Sequence, residues 1–201
     1  MSLFPIFLKL DGRRCLVAGA GKIGEPKIQS LLAARADVTV VAPEATTKVK
    51  AWAALGIITW QRRAFEQSDL EGATLVIAAT SSAIVNDSVF VEAQRKGIFC
   101  NSVDDPEHCD FFYPAVVRRG DFQVAISTAG HSPALAQRLR NELEERFGPE
   151  YAGWVSELGK ARQQLFAVEM NAEERRRKLH ELASREAFEA SHETIQARNE
   201  A

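Results

Sequence analysis

The run Cys15-Leu16-Val17-Ala18-Gly19-Ala20-Gly21-Lys22-Ile23-Gly24 carries the residues whose spacing most plainly suits chemistry. An apolar stretch feeds directly into Gly-x-Gly-x-x-Gly, the spacing with which a chain grips the pyrophosphate of a dinucleotide. Each glycine answers a separate need. Gly19 permits the tight turn out of a strand, Gly21 lets a phosphate approach bare backbone, and Gly24 lets the next helix pack closely on the sheet. A helix starting near Gly21 aims unpaired N–H groups and the positive end of its dipole at the phosphates. The same triplet also fits a glycine-rich turn in another doubly wound protein, so its neighbours decide.

After a helical stretch, Ile23 to Ala34, comes Asp37-Val38-Thr39-Val40-Val41-Ala42, as apolar and β-branched as a parallel strand covered on both faces requires. This completes a βαβ unit of roughly 30 residues. The acid expected to hydrogen-bond the ribose falls on Glu44, beyond Pro43 rather than on the strand tip. Glu44 either serves the ribose or charges the first turn of the next helix. With no arginine at this corner to meet a 2′-phosphate, the cofactor expected is NAD.

A second concentration of chemistry lies in Asn101-Ser102-Val103-Asp104-Asp105-Pro106-Glu107-His108-Cys109-Asp110, with four carboxylates in seven residues. Oxidation by a nicotinamide removes a proton as well as a hydride, so a carboxylate near the reactive end is a natural base. Asp104, nearest the preceding strand, is the best placed. Asp105, Glu107 and Asp110 read as turn formers or caps. His108, Cys109 and Cys100 lack the spacing of a zinc set, and no resident metal is expected.

These residues need a scaffold. Gly56–Trp60, Ala73–Ala79 and Gly97–Cys100 read as further strands. A helix over Ser82–Lys96 has Ile84, Val85, Val89 and Val91 as buried candidates. Such alternation implies a parallel sheet with right-handed crossovers, whose ligands lie beyond the carboxyl ends of the strands. Gly19–Gly24, Ala42–Glu44, Thr80–Ser82 and Asn101–Pro106 are therefore expected to converge on one crevice. After Pro114 the pattern becomes a hairpin, 115–119 and 122–127 around Gly120-Asp121, then a helix capped by Ser132 with Pro133 in its first turn, ending at Gly148-Pro149. A hairpin and one helix bury little alone, so this segment is expected to dimerise. The fold expected is α/β: a Rossmann-type parallel-sheet domain (1–113), a small α+β dimerisation segment (114–148) and a helical C-terminal domain (149–201), with the final ten residues or so frayed.

The 201 residues, 46% hydrophobic, sustain a substantial core, and a net charge of −2 argues against a general nucleic-acid binder. Three cysteines without a C-x-x-C pair, and no leader or spanning run, point to reduced thiols, a cytoplasmic setting and no membrane association.

In the order of its motifs the chain resembles the dehydrogenase module of siroheme synthases, the precorrin-2 dehydrogenase family that often doubles as sirohydrochlorin ferrochelatase. The blocks are Pro5–Leu10, the glycine turn, Val40–Glu44, Val76–Thr80, Asn101–Pro106, Phe111–Ala115 and Ala125–Ala136. The resemblance implies a homodimer that oxidises precorrin-2 to sirohydrochlorin with NAD⁺, many members then inserting Fe²⁺. The family's catalytic aspartate falls on Asp104, and its cofactor contacts fall on Lys22-Ile23 and Pro43-Glu44, beside Gly19, Gly21, Gly24 and Thr80. A hydroxyl position that is serine in some members is Thr128. Here Pro26 stands near the family's usual arginine and Ser81-Ser82 where aspartates are common, which touches cofactor affinity rather than reaction class.

Precorrin-2 carries many carboxylates, so Arg118, Arg119, Arg138 and Arg140 are candidate clamps or, equally, surface ion-pair residues. The Ser127–Pro133 turn, with Thr128 and His131, is either an anion site or an ordinary capped helix start. Two other functions stay open: a dehydrogenase without chelatase activity, and a non-catalytic NAD-sensing dimer, which has no use for an acid at the nicotinamide end.

Overall fold

The computed structural model describes residues 3–190. The chain forms two units, one spanning Leu3–Tyr113 and the other beginning at Pro114. The first is a five-stranded parallel sheet of β1 (Arg14–Ala20), β2 (Asp37–Ala45), β3 (Thr59–Gln61), β4 (Leu75–Ala78) and β5 (Phe99–Ser102), in the order β3-β2-β1-β4-β5. Helices α1 (Gly24–Ala33), α2 (Thr47–Ala54) and α3 (Ala83–Lys96) connect the strands. This is the Rossmann order, with β1 at its centre.

The apolar runs are explained by burial on both faces. Along β1, Cys15 and Val17 pack with Ile28 and Leu31 of α1 and Val49 of α2, whereas Leu16 and Ala18 pack with Val89 and Ala93 of α3. The alternation follows from the two-residue period of a strand.

Three local readings need correction. β2 continues through Pro43 and Glu44 to Ala45, which pairs with Ala20 after a register shift opposite Gly19. Glu44 thus sits at the strand tip, not beyond it. The first turn of α2, capped by the Thr46 hydroxyl accepting from the Val49 amide, contains no acid, which removes the alternative role for Glu44. On α3, Val89 and Ala93 are buried but Ile84 and Val91 are exposed, because those two, seven residues apart, lie on the arc away from the sheet. Gly97, left-handed at φ 65°, closes α3, so β5 begins only at Phe99.

The second unit contains the hairpin β6 (Ala115–Arg119) and β7 (Phe122–Ile126), then α4 (Pro133–Arg146), α5 (Glu150–Ala167) and α6 (Ala172–Leu182). The Ser132 hydroxyl accepts from the Leu135 amide, with Pro133 in the first turn of α4. Asn171 caps α6 in the same way, and Glu173 and Glu174 occupy its first turn. The hairpin finds cover within its own chain. Phe122 stacks with Phe147 and Tyr151, the Arg119 guanidinium donates to the Phe147 and Glu144 carbonyls, and Val117 and Ala136 are buried. Among the described residues no helix is long and apolar enough to cross a membrane. The expected fraying of the last ten residues falls outside the described residues.

A Cβ at Gly24 would fall on the carbonyl oxygen of Gly19, whereas one at Gly21 would meet nothing within 4 Å. Gly24→Ala is therefore expected to cost about 2 kcal/mol, lowering Tm by roughly 4–8 °C in calorimetry, while Gly21→Ala melts with the wild type. Equal melting of the two variants would contradict this account of the turn.

Candidate functional site

A cleft of about 620 Å³ opens at the carboxyl ends of β1, β2 and β4, within the range of small-molecule sites. Gly19–Ile23 form its floor, Val41–Glu44 one side, and Ala79–Ser82 with Val85 the other. Gly19 has φ +106°, and a Cβ there would collide with the Ala79 carbonyl, so only glycine lets the β1 turn pass under the end of β4. Ile23, at the N-cap of α1, supplies no capping side chain. Within the first turn the Glu25 amide donates to the Gly21 carbonyl at 3.0 Å and Pro26 has no N–H, so the Gly24 amide is the helix donor that no capping side chain covers. Glu25 in that first turn lies 3.7 Å from Lys48.

The β4 wall is rigidly built. The Thr80 amide and hydroxyl both donate to Oδ1 of Asn86, at 3.1 and 2.7 Å, and the Asn86 amide donates back to the Thr80 carbonyl at 3.3 Å. Ser82 donates its amide to the Thr80 hydroxyl and caps α3 through Val85. Opposite, Trp60 donates its indole N–H to the Ala42 carbonyl at 3.0 Å, pinning β2 where it turns towards Pro43.

Ala64 and Phe65 complete the lining. Their loop is fixed by Arg63, which grips both oxygens of the nearly buried Asp69 at 2.5 and 2.8 Å. That hydrogen bonding, with the Glu66 amide, holds the Asp69 carboxyl below the usual carboxylate range.

Asn101–Pro106 do not line this cleft, contrary to the expected convergence. β5 is the edge strand next to β4, and the chain beyond it folds back on itself. Asn101 bridges to Cys109, and its amide donates to the Phe111 carbonyl at 2.8 Å. The Cys109 thiol points at the carbonyls of Ser102 and Asp105, at 3.1 and 3.2 Å. Asp110 accepts from the Cys100 amide and from Gln94. His108 turns to Asp105 at 2.7 Å and Asp87 at 3.4 Å, its ring against Phe90, rather than to the cysteines. Burial pushes the Cys100 thiol up to about 12.

Within this bracing Asp104 is exposed and left-handed at φ +63°, with no hydrogen bond or ion pair among the described residues. A residue in that conformation costs roughly 1 kcal/mol and points to a constraint worth explaining.

In the second unit, the Thr128 hydroxyl accepts from the Ser132 amide and its carbonyl from the His131 amide, so the turn is a capped helix entrance with an exposed His131. Arg118 contacts Gln123, and Arg138 and Arg140 pair with Glu142 and Glu144 one turn along α4.

Sequence reading missed Ala64, Phe65 and Asn86. The first two follow a three-residue strand and carry no motif. Asn86 shows itself only through its bonds to Thr80.

Residues 6–115 match a family model described as putative NAD(P)-binding, and residues 119–146 one described as sirohaem biosynthesis protein central. Siroheme synthase 1 of Aeromonas hydrophila is 39% identical over 169 residues, covering 84% of this chain and 36% of that protein. Siroheme synthase of Methylococcus capsulatus is 43% identical over 152 residues, covering 74% and 32%. The chain thus spans about a third of the length of these curated relatives. A solved structure described as SirC, precorrin-2 dehydrogenase, superimposes with a TM-score of 0.80 at 25% identity, covering 99% of this chain and 100% of that one. The chain belongs to the putative NAD(P)-binding family, as the module shared with siroheme synthases.

Proposed function

We propose that this protein oxidises precorrin-2 to sirohydrochlorin with NAD⁺, as a cytoplasmic homodimer. The observation that carries the reading is the glycine-floored cleft with an acid at the tip of β2. Open space above Gly21, a helix start without a capping side chain and the Glu44 carboxylate match a pyrophosphate and a ribose diol. Three free thiols suit a reducing compartment, and exposed Leu135, Phe166 and Val168 offer apolar surface to a second copy.

The dinucleotide, when bound, supplies the hydride acceptor. The chain supplies the rest. Backbone at Gly19, Gly21, Lys22, Ile23 and Gly24 holds the phosphates. Pro43 and Glu44 bound the ribose corner, and Thr80 shapes the opposite wall. Oxidation of precorrin-2 removes a hydride and a proton. Asp104, exposed and unoccupied by other partners, accepts the proton. Thr128, His131, Arg118 and Arg138 are assigned to the macrocycle's carboxylates, Arg138 by exchanging Glu142 for a substrate carboxylate.

The same exposed carboxylate suits removal of the two pyrrole N–H protons one at a time, each passed on to water, as Fe²⁺, a substrate here, enters sirohydrochlorin. Anaerobic incubation with sirohydrochlorin and Fe²⁺, without NAD, is expected to give the siroheme spectrum. An unchanged spectrum would leave a dehydrogenase alone.

Asp104→Asn is expected to lower kcat by ~10²–10⁴ in an NADH absorbance assay, with KM for NAD⁺ unchanged. Wild-type turnover by this variant would remove Asp104 from the chemistry. Gly21→Ala should raise KM for NAD⁺ by roughly tenfold or more, through lost backbone approach. Glu44→Ser should narrow the preference for NAD⁺ over NADP⁺ by about tenfold in kcat/KM, since it removes a charge that repels a 2′-phosphate. An unaltered cofactor preference would take Glu44 away from the ribose. Absence of both a sirohydrochlorin band and NADH with the wild-type protein would favour an NAD sensor.

A further inference from the structure

We propose that Lys27 anchors a carboxylate of the tetrapyrrole beside Asp104 and so helps set which macrocycle is accepted, an inference that rests on the dehydrogenase reading. Lys27 is half-buried on the α1 face that also carries the buried Gly24, Ile28 and Leu31. The ammonium sits 3.6 Å above the centre of the Tyr113 ring. Tyr113 is itself held by Ser30 one turn further along α1, and burial pushes its hydroxyl up to about 12.

An aromatic face replaces only part of an ammonium's lost hydration and brings no formal negative charge. No Asp or Glu oxygen lies within 4 Å of Lys27 among the described residues. Asp104 is the carboxylate that reaches it electrostatically, while burial keeps the neighbouring Cys109 a neutral thiol; burial of the lysine outweighs this pull and holds it below its usual range. A half-buried cation left so incompletely paired is costly, and an incoming anion completes it.

The dinucleotide is the wrong anion. Lys22 lines the glycine cleft and Lys27 does not. Asp104, by contrast, must touch the macrocycle to take its proton, and Lys27 connects to its segment by contact. The Tyr113 ring under the ammonium lies 5.9 Å from that of Phe111, whose carbonyl takes the amide of Asn101, three residues before Asp104. Precorrin-2 carries carboxylates around its rim, and the shared ring brings one of them to the Lys27 side.

Steady-state kinetics with the full chain test this, varying precorrin-2 at saturating NAD⁺. Lys27→Gln is expected to raise KM for precorrin-2 about tenfold, the usual worth of one charge-assisted hydrogen bond, with KM for NAD⁺ unchanged. Lys27→Arg should recover to within roughly threefold of wild type, since the charge is kept. Sirohydrochlorin binding, followed by tryptophan fluorescence, should weaken in parallel. An unchanged KM for precorrin-2, a loss confined to kcat, or a loss of NAD⁺ binding in Lys27→Gln would each overturn the proposal. If the wild type fails to oxidise precorrin-2, the dehydrogenase reading falls. Sirohydrochlorin binding then decides for Lys27, and equal Kd values for wild type and Lys27→Gln overturn it.

Discussion

The site depends on a backbone-to-backbone approach that no side chain could share. Where β1 ends, Gly19 passes against the Ala79 carbonyl at the end of β4, and Gly24 starts α1 against the Gly19 carbonyl. Two missing Cβ atoms let a strand, a turn and a helix meet at one point. The register of β2 shifts opposite that turn, carrying Pro43 and Glu44 to the rim. The Thr80–Asn86 bonds secure the other bank. The cleft is thus a consequence of chain geometry at three strand ends rather than of any cluster of reactive side chains.

Around it the protein separates two electrostatic tasks. On the β1–β2 side, the positive end of the α1 dipole, bare glycine backbone and one carboxylate suit phosphates and a neutral diol. On the β5 side, Asp105 and Asp110 are consumed in holding the loop, through His108 and through the Cys100 amide and Gln94. Asp104 and Glu107 are left, among the described residues, without such work, and of the two Asp104 is the nearer to the end of β5 and is held left-handed. A left-handed aspartate persists only where its surroundings fix it. Here the Asn101–Cys109 bridge and the Cys109 thiol close the segment on both sides of it.

Much of this architecture was legible in the residues. Doubly buried strands write themselves as unbroken apolar runs, and Ser132-Pro133 marks a helix start by capping chemistry alone. The errors have physical causes. Pro43 suggests a strand end, yet β3 pairs β2 only at Thr39–Val41 and the register shift frees its other side, so the missing N–H is tolerated. Ile84 and Val91 are apolar but lie on the wrong arc of α3. Phe65 reaches the cleft because Arg63 and Asp69, six residues apart, clasp a loop whose sequence has no periodicity to read.

The segment after β5 shows where such reading stops. Its acids announce chemistry by their density, but density does not say which of them is free. That is settled by partners far along the chain, Gln94 and Asp87 on α3 and Phe111 beyond the loop. Once each partner is assigned, Asp104 and Glu107 are the loop acids without a hydrogen bond or ion pair among the described residues, and of the two it is Asp104 whose charge reaches the half-buried Lys27 ammonium. A folded chain tolerates such a deficit at modest cost when each charge keeps some access to water. The deficit becomes useful when a ligand brings both a proton to lose and a carboxylate to place, as a polyanionic macrocycle does.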